Sequence, residues 1–320
     1  MTTAVVRRAG ILLVCAAAAG CLAGGPGTPR HPMQRHGPDR TAMPYEEPHP
    51  EDKRALFERI NRDRAAHGVA PVQYEPRAAQ VGDRFCLDSA TGRLSGHWDL
   101  EGRAPYVRWG LAGGVDFHAE NAASVSVSTG PFPRTVRDLI LEAHASMMAE
   151  VTPDDGHRRT ILDPGFTHVG IGLAQAGNEL RMTEEFTRVA FEWIETPAGP
   201  LRAGHRAAFA GRPLKGWRVG VVEIRFEPPP RPLTLLEVRR RHAYSYPEVI
   251  RSFVPSVSVP FGYIPSRQGD FHVGSDGSFS VTFPLDAGPG HYFVLCYLHP
   301  SREATGFMGP ATAAMITALP

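Results

Sequence analysis

The sequence predicts an α+β protein in two parts, a helix-rich sandwich followed by a smaller all-β domain, and three observations carry that reading. Val136, Leu139, Ile140, Ala143 and Met147 recur at helical spacing and make one apolar stripe. Residues 167–174 alternate in polarity after Asp163-Pro164-Gly165 and read as a buried strand. Beyond Thr196-Pro197 the helical periodicity fades, and short alternating stretches set between prolines and glycines replace it.

The chain opens with an export signal. Arg7 and Arg8 precede an apolar run over residues 9–19, too short for a stable transmembrane span. That run ends in Ala18-Ala19-Gly20-Cys21, which resembles the lipobox of bacterial lipoproteins, where the matching cysteine is diacylated and becomes the mature N-terminus. The alternative is an ordinary signal peptide that contains a cysteine. Residues 1–20 are thus expected to be a lipoprotein signal peptide, and 21–50, rich in Gly, Pro, His and charge, a disordered tether. Export implies an oxidising compartment for Cys86 and Cys296. Cys86 shares a helical stripe with Ala79, Gly82 and Phe85, which favours a buried free thiol over a bridge. The formal net charge is only +1, so nothing electrostatic argues for a nucleic-acid partner.

Ala55, Leu56 and Ile60 set the phase of a first helix that ends near His67-Gly68. Residues 69–72 form a short extended link, and Glu75-Pro76 starts a second helix running to about Ala90. Ser95-Gly96-His97-Trp98 follows it. Glu120-Asn121, taken alone, would be a solvated loop or a helix cap. Glu150 lies three residues past Met147 and so continues the apolar stripe of the third helix, where an unpaired carboxylate is costly. Thr152-Pro153-Asp154 breaks that helix, and Gly156-His157 opens a short turn before the strand.

Residues 156–172, GHRRTILDPGFTHVGIG, resemble the bacterial branch of the CAP superfamily, which includes cysteine-rich secretory, antigen 5 and pathogenesis-related proteins. INRDRAAHGVAPVQYEPRAAQVG resembles the opening of such a domain, and HAEN matches its Gly-Glu-Asn motif with Ala119 in place of Gly. Ser-Gly-His stands where the family usually has Ser-His, and Met147 where it usually has Trp. The resemblance implies an α-β-α sandwich over 51–196 and a cleft tetrad of His97, Glu120, Glu150 and His157. Glu142 competes with Glu150 but falls off the stripe. His67, His118, His144 and His168 fit no family position and read as surface or packing residues. Leu180 to Trp193 reads as one returning strand, with Glu184 and Glu185 as strand and turn residues rather than site members.

Residues 197–320 are expected to form a β-sandwich, immunoglobulin-like in its short strands and Pro/Gly turns. Residues 217–226 alternate until Pro228-Pro229-Pro230 stops them, 271–273 and 279–283 flank a Ser275-Asp276-Gly277 hairpin turn, and 291–298 form another strand. Arg239-Arg240-Arg241 with Tyr244 and Tyr246 could touch an anionic surface, but reads more simply as an exposed strand end.

Two histidines and two carboxylates allow several chemistries. His97 and His157 suit Zn²⁺ or another divalent metal, with Glu120 and Glu150 orienting the rings or activating a bound water. Without metal, the same groups could neutralise one another as ion pairs. The histidines lack the spacing of a metalloprotease helix, and no serine or cysteine nucleophile stands in a recognisable motif. The first expectation is therefore a non-enzymatic envelope lipoprotein, membrane-held through Cys21, that binds a metal and a lipid or cell-envelope ligand. A metal-assisted hydrolase of envelope peptide or glycan is the alternative, and a structural or adhesive surface protein a further one.

Overall fold

The computed structural model describes residues 4–8, 11–16, 45–214, 216–254, 270–300 and 308–320. Cys21 and most of the expected tether lie outside the described residues. The expected signal segment appears as two strands, β1 (Ala4–Arg8) and β2 (Ile11–Ala16), paired with each other and, through β2, with residues 122–127. The tether expected to reach residue 50 is docked from Tyr45 onward: the Tyr45 hydroxyl bonds Asp83, and Lys53 binds both Glu47 and Asp83. Lys53 is buried, so its ammonium needs these acids.

The first unit is a sheet between helices. Helix α1 (Pro50–Ala66) is followed by β3 (Gln73–Tyr74) and α2 (Pro76–Gly92), whose first turn is capped by the Glu75 carboxylate through Arg77 N. Helix α3 (Pro105–Leu111) was not foreseen, nor was β4 (Phe117–Val127). The stripe read from sequence is α4 (Val136–Met148), the short turn is α5 (Gly156–Leu162), and β5 (His168–Ala176) and β6 (Glu179–Arg188) form the hairpin behind them. Strand order is β1-β2-β4-β6-β5-β3.

Alternation along the strands sends side chains to the two helical layers. Ala119, Ala123 and Val125 of β4, with Val169, Ile171 and Leu173 of β5, join Leu56, Ile60, Leu139, Ile140 and Met147 in one core on the α1/α4/α5 side. Gly170 and Gly172 point the other way. A Cβ on Gly170 would lie 2.2 Å from Ala79 N, and one on Gly172 2.3 Å from the Gly82 carbonyl carbon, so α2 rests directly on β5. The Gly-Ile-Gly of the sequence motif is thus a seat for a helix, and the α-β-α sandwich is present.

The returning strand ends sooner than read. β6 stops at Arg188, and β7 (Phe191–Glu195) pairs with β9 of the second unit. The chain therefore crosses between units near Val189-Ala190, a few residues before the composition shift at Thr196-Pro197.

The second unit contains β8 (Leu201–Arg202), β9 (Arg206–Pro213), β10 (Trp217–Glu227), a helix α6 (Leu235–Arg240), β11 (Val249–Phe253), β12 (Asp270–Val273), β13 (Phe279–Pro284), β14 (Gly290–Pro300), β15 (Met308–Pro310) and β16 (Ala314–Leu319). One sheet runs β11-β10-β14-β16-β8 and the other β12-β13-β9-β7. Phe209, Phe279, Val281 and Phe283 from one sheet meet Val222, Ile224, Val294, Cys296 and Leu298 from the other. The β12–β13 hairpin pairs as read, Val273 opposite Phe279. Cys86 and Cys296 are both buried free thiols.

Strand β14, HYFVLCYL at its centre, is apolar on both faces because both are covered. Tyr292, Val294, Cys296 and Leu298 face the sandwich interior. Phe293 and Leu295 face outward, onto Ala104, Tyr106 and Val107 of the first unit and onto Tyr244. Backbone bonds join the units as well, from Phe117 N to Ala311 O (3.2 Å) and from Ala313 N to Val115 O (3.0 Å). Between β10 and β11 the chain leaves the sandwich altogether, and residues 228–248 run across the first unit as an arm that includes α6.

Candidate functional site

The arm and β4 together define the site. The backbone of β4 sends His118 and Glu120 toward α2 and α3, and Asn121 toward α4 and α5. His97 meets the strand here through Glu120, and His157 through Asn121.

His97 stands in the loop after α2, and its Nδ1 lies 2.8 Å from Glu120 Oε1. Arg108 of α3 donates from Nη2 to Glu120 Oε2 at 2.6 Å and from Nη1 to the His97 carbonyl at 2.8 Å. Its guanidinium sits 3.8 Å from the centre of the Phe85 ring. Burial works to raise the Glu120 carboxyl, but Arg108 and His97 outweigh it and bring it down to about 2. Glu120 is therefore ionised, and His97 Nδ1 must be the nitrogen that donates to it.

Glu150 lies just past the end of α4, and its carboxylate turns onto the start of α5. Oε2 accepts from His157 N at 3.0 Å, and Oε1 bonds His157 Nδ1. One carboxylate thus satisfies an orphan N–H of the helix start and orients the imidazole. Asn121 links this pair to β4 by donating to the His157 carbonyl at 3.3 Å. Glu142, the rejected competitor, is exposed and pairs with Arg134.

Two buried networks support these pairs, and sequence reading missed both. On the α4 side, Asn121 donates to Glu184 Oε2 (3.0 Å), Glu184 Oε1 lies 2.6 Å from His144 Nδ1, and His144 Nε2 lies 3.0 Å from Asp63 Oδ2. Burial disfavours a charged His144, yet Glu184 and Asp63 overcome it and raise its pKa, so both ring nitrogens donate. On the α3 side, Glu185 faces Glu120 across the β4–β6 ladder. Burial and then repulsion from Glu120 push the Glu185 carboxyl well up, which favours its protonated form. Burial pushes His118 down to about 3, so its neutral Nε2 accepts from that carboxyl at 2.7 Å. The readings of His118 and His144 as surface or packing residues, and of Glu184 and Glu185 as ordinary strand residues, are corrected accordingly. All four are buried and paired. The signal was the adjacent Glu184-Glu185 within a strand, which puts one acid on each face of the sheet.

A raised carboxyl pKa has a defined pH consequence. Glu185 contributes its full stability below its ordinary value of 4.5 and loses it as pH rises toward its higher folded value. Asp83, pushed up to about 7 by burial, acts in the same direction. Glu185→Gln keeps a donor for His118 and removes one of these titrations. Urea midpoints of the variant should fall less steeply than wild type above pH 4.5; an identical slope would mean that Glu185 is ionised in the fold.

The site is closed by the arm. The Tyr244 hydroxyl accepts from Glu120 N at 2.7 Å, and its ring meets His97 edge-on with centroids 4.9 Å apart. Tyr246 stacks on Tyr106 at 4.5 Å and lies over Phe117 at 5.4 Å. Trp98 Nε1 donates to Ala243 O at 3.1 Å, and Leu233 N to Leu100 O at 2.7 Å. The reading of this arginine–tyrosine stretch as an exposed strand end is therefore corrected: Tyr244 is buried against His97 and Glu120. Two glycines make room for it. Gly96 (φ +91) and Gly102 (φ +79) adopt a backbone that side chains rarely tolerate, and a Cβ there would meet Arg241 O at 3.2 Å and Arg231 O at 2.1 Å. The extra Gly96 between Ser95 and His97 is thus where the arm passes.

Among the described residues, no group of three or more His, Cys, Asp and Glu side chains is arranged to hold a metal ion. The imidazoles of His97 and His157 are each held through Nδ1 by a carboxylate, a partner that metal-ligating histidines commonly have.

The sequence model of the CAP family (Cysteine-rich secretory protein family) matches residues 57–189. Among solved structures, an extracellular protein containing a SCP domain from Bacillus anthracis str. Ames matches at 18% identity with a TM-score of 0.34. The match covers 43% of this chain and 40% of that one. None of the curated proteins compared matches the chain.

Proposed function

We propose, from the premise that residues 57–189 are a CAP domain of bacterial type, that the protein is an exported, non-catalytic binding protein with a self-closed cleft. Tyr244 carries the proposal. It is 8% exposed, holds Glu120 N and covers His97, so a ligand reaches the tetrad by displacing the arm. The wall it would uncover, Tyr106 and Phe293, is aromatic and suits a lipid or other apolar envelope ligand. His97 and His157 would hold a divalent metal such as Zn²⁺, with Glu120 and Glu150 fixing the rings from behind. Acylated Cys21 would keep the protein at the cell envelope.

Hydrolysis is the weaker reading on a specific ground. A general base works best with a pKa near the working pH, whereas Arg108 and His97 hold Glu120 at about 2 despite its burial. Metal analysis and Zn²⁺ titration of the purified protein should show an ion that His97→Ala with His157→Ala abolishes. Cys21→Ser should move the protein from the membrane to the soluble fraction. Unchanged metal content in the double variant would sink the metal site. Turnover of envelope peptide or glycan that disappears with Glu150→Gln would replace binding by catalysis.

A further inference from the structure

The outer face of the arm carries a feature that closing the cleft does not require. Helix α6 is fixed from beneath. Leu233 and Val238 pack on Leu94 and Trp98, and a capping box between Thr234 and Glu237 sets its first turn. With that side anchored, Leu235 and Leu236 remain 43% and 57% exposed, although solvent alone would favour polar residues there. Each leucine has an arginine four residues on, Arg239 and Arg240, so the leucines and arginines share the outward face.

The surroundings extend the pattern. Exposed Leu100 adjoins the arm through the Leu233 N–Leu100 O bond, and Arg239 reaches the carbonyl of exposed Arg93 at 3.4 Å, the Arg93 guanidinium itself lying 3.7 Å from Glu179. The acids of this face are already engaged: Glu237 pairs with Arg231 at 2.7 Å and Glu101 with Arg103 at 3.0 Å. Arg239 and Arg240 stay exposed.

We infer that the outward face of α6, Leu235, Leu236, Arg239 and Arg240 with Leu100 and Arg93 beside it, docks on an anionic lipid bilayer. Arginines at headgroup level beside leucines that reach the acyl boundary are the chemistry of an interfacial helix. A soluble polyanion would engage the arginines but leave the leucines in water.

The test uses the full chain as Cys21→Ser, which carries no acyl group at that position, so the outcome is independent of the proposed anchor. Its binding is measured by cosedimentation with vesicles rich in phosphatidylglycerol and with vesicles of phosphatidylcholine alone. Binding to the anionic vesicles, weakened by salt, is expected. Arg239→Glu with Arg240→Glu should weaken it at least about thirtyfold, and Leu235→Ser with Leu236→Ser by about tenfold. These side chains are exposed, and unchanged Trp98 fluorescence would verify that the arm is still seated. Equal binding to both vesicle types overturns the inference. So does loss confined to the arginine variant with the leucine variant unaffected, which would assign the face to a soluble polyanion.

Discussion

Tyr244→Ala should cost about 3–5 kcal/mol of stability, as loss of a buried aromatic side chain does elsewhere, and should separate the two units' unfolding. Three links break at once. The ring leaves His97 and Tyr106, the cluster with Phe293 and Leu295 loses its centre, and Glu120 N loses its hydroxyl acceptor. Calorimetry should show one transition in wild type and two, or a broadened one, in the variant. Limited proteolysis should then cut within residues 228–248. Tyr244→Phe separates the causes: it keeps the ring and leaves a buried N–H without that partner, worth about 1–3 kcal/mol. An alanine variant with wild-type stability and an uncut arm would mean that Tyr244 does not hold the units together.

Arg108→Met should be comparably severe, about 3–5 kcal/mol, because it leaves buried charge uncompensated. Arg108 is fully enclosed, bridges Glu120 to the His97 backbone, and is the largest favourable influence on the Glu120 carboxylate after burial has acted against it. Without it, Glu120 and Glu185 face each other with one fewer positive charge between them, and Glu120 should take up a proton. The variant's denaturant midpoint should recover partly with Glu120→Gln added, since the second substitution removes the carboxyl whose forced protonation costs stability. No recovery in the double variant would show that Arg108 matters through packing on Phe85 rather than through charge.

Helical stripes and Gly/Pro punctuation made most of the architecture legible. Helix α4, the β12–β13 hairpin and β10 stand where their periodicity puts them, since each has one clear apolar face or turn signal. β4 was not legible because its core positions are mostly small (Ala119, Ala123) and its other face carries His118 and Glu120, so alternation in size and polarity is weak. At the site, the four residues of the tetrad were named from motif position without assigning partners, and the structure pairs His97 with Glu120 and His157 with Glu150. Arg108 and Tyr244 could not be read. Nothing local marks an arginine in a short helix as the counter-charge of a strand residue, and the tyrosine arrives from a different unit. The extra glycine before His97 looked like an imperfection in the motif; it marks the path of the arm.

The partner of Glu120 N is separated from it by 124 positions along the chain. A contact of that sequence separation forms late, after the loop-closure entropy of the intervening chain has been met. As the polypeptide emerges N-terminal end first, His97, Glu120, Glu150 and His157 are all present before the arm that seals them has been made. During that interval the cleft is as accessible as it will ever be. Completion of the chain then turns an open groove beside His97 and Glu120 into an enclosed one.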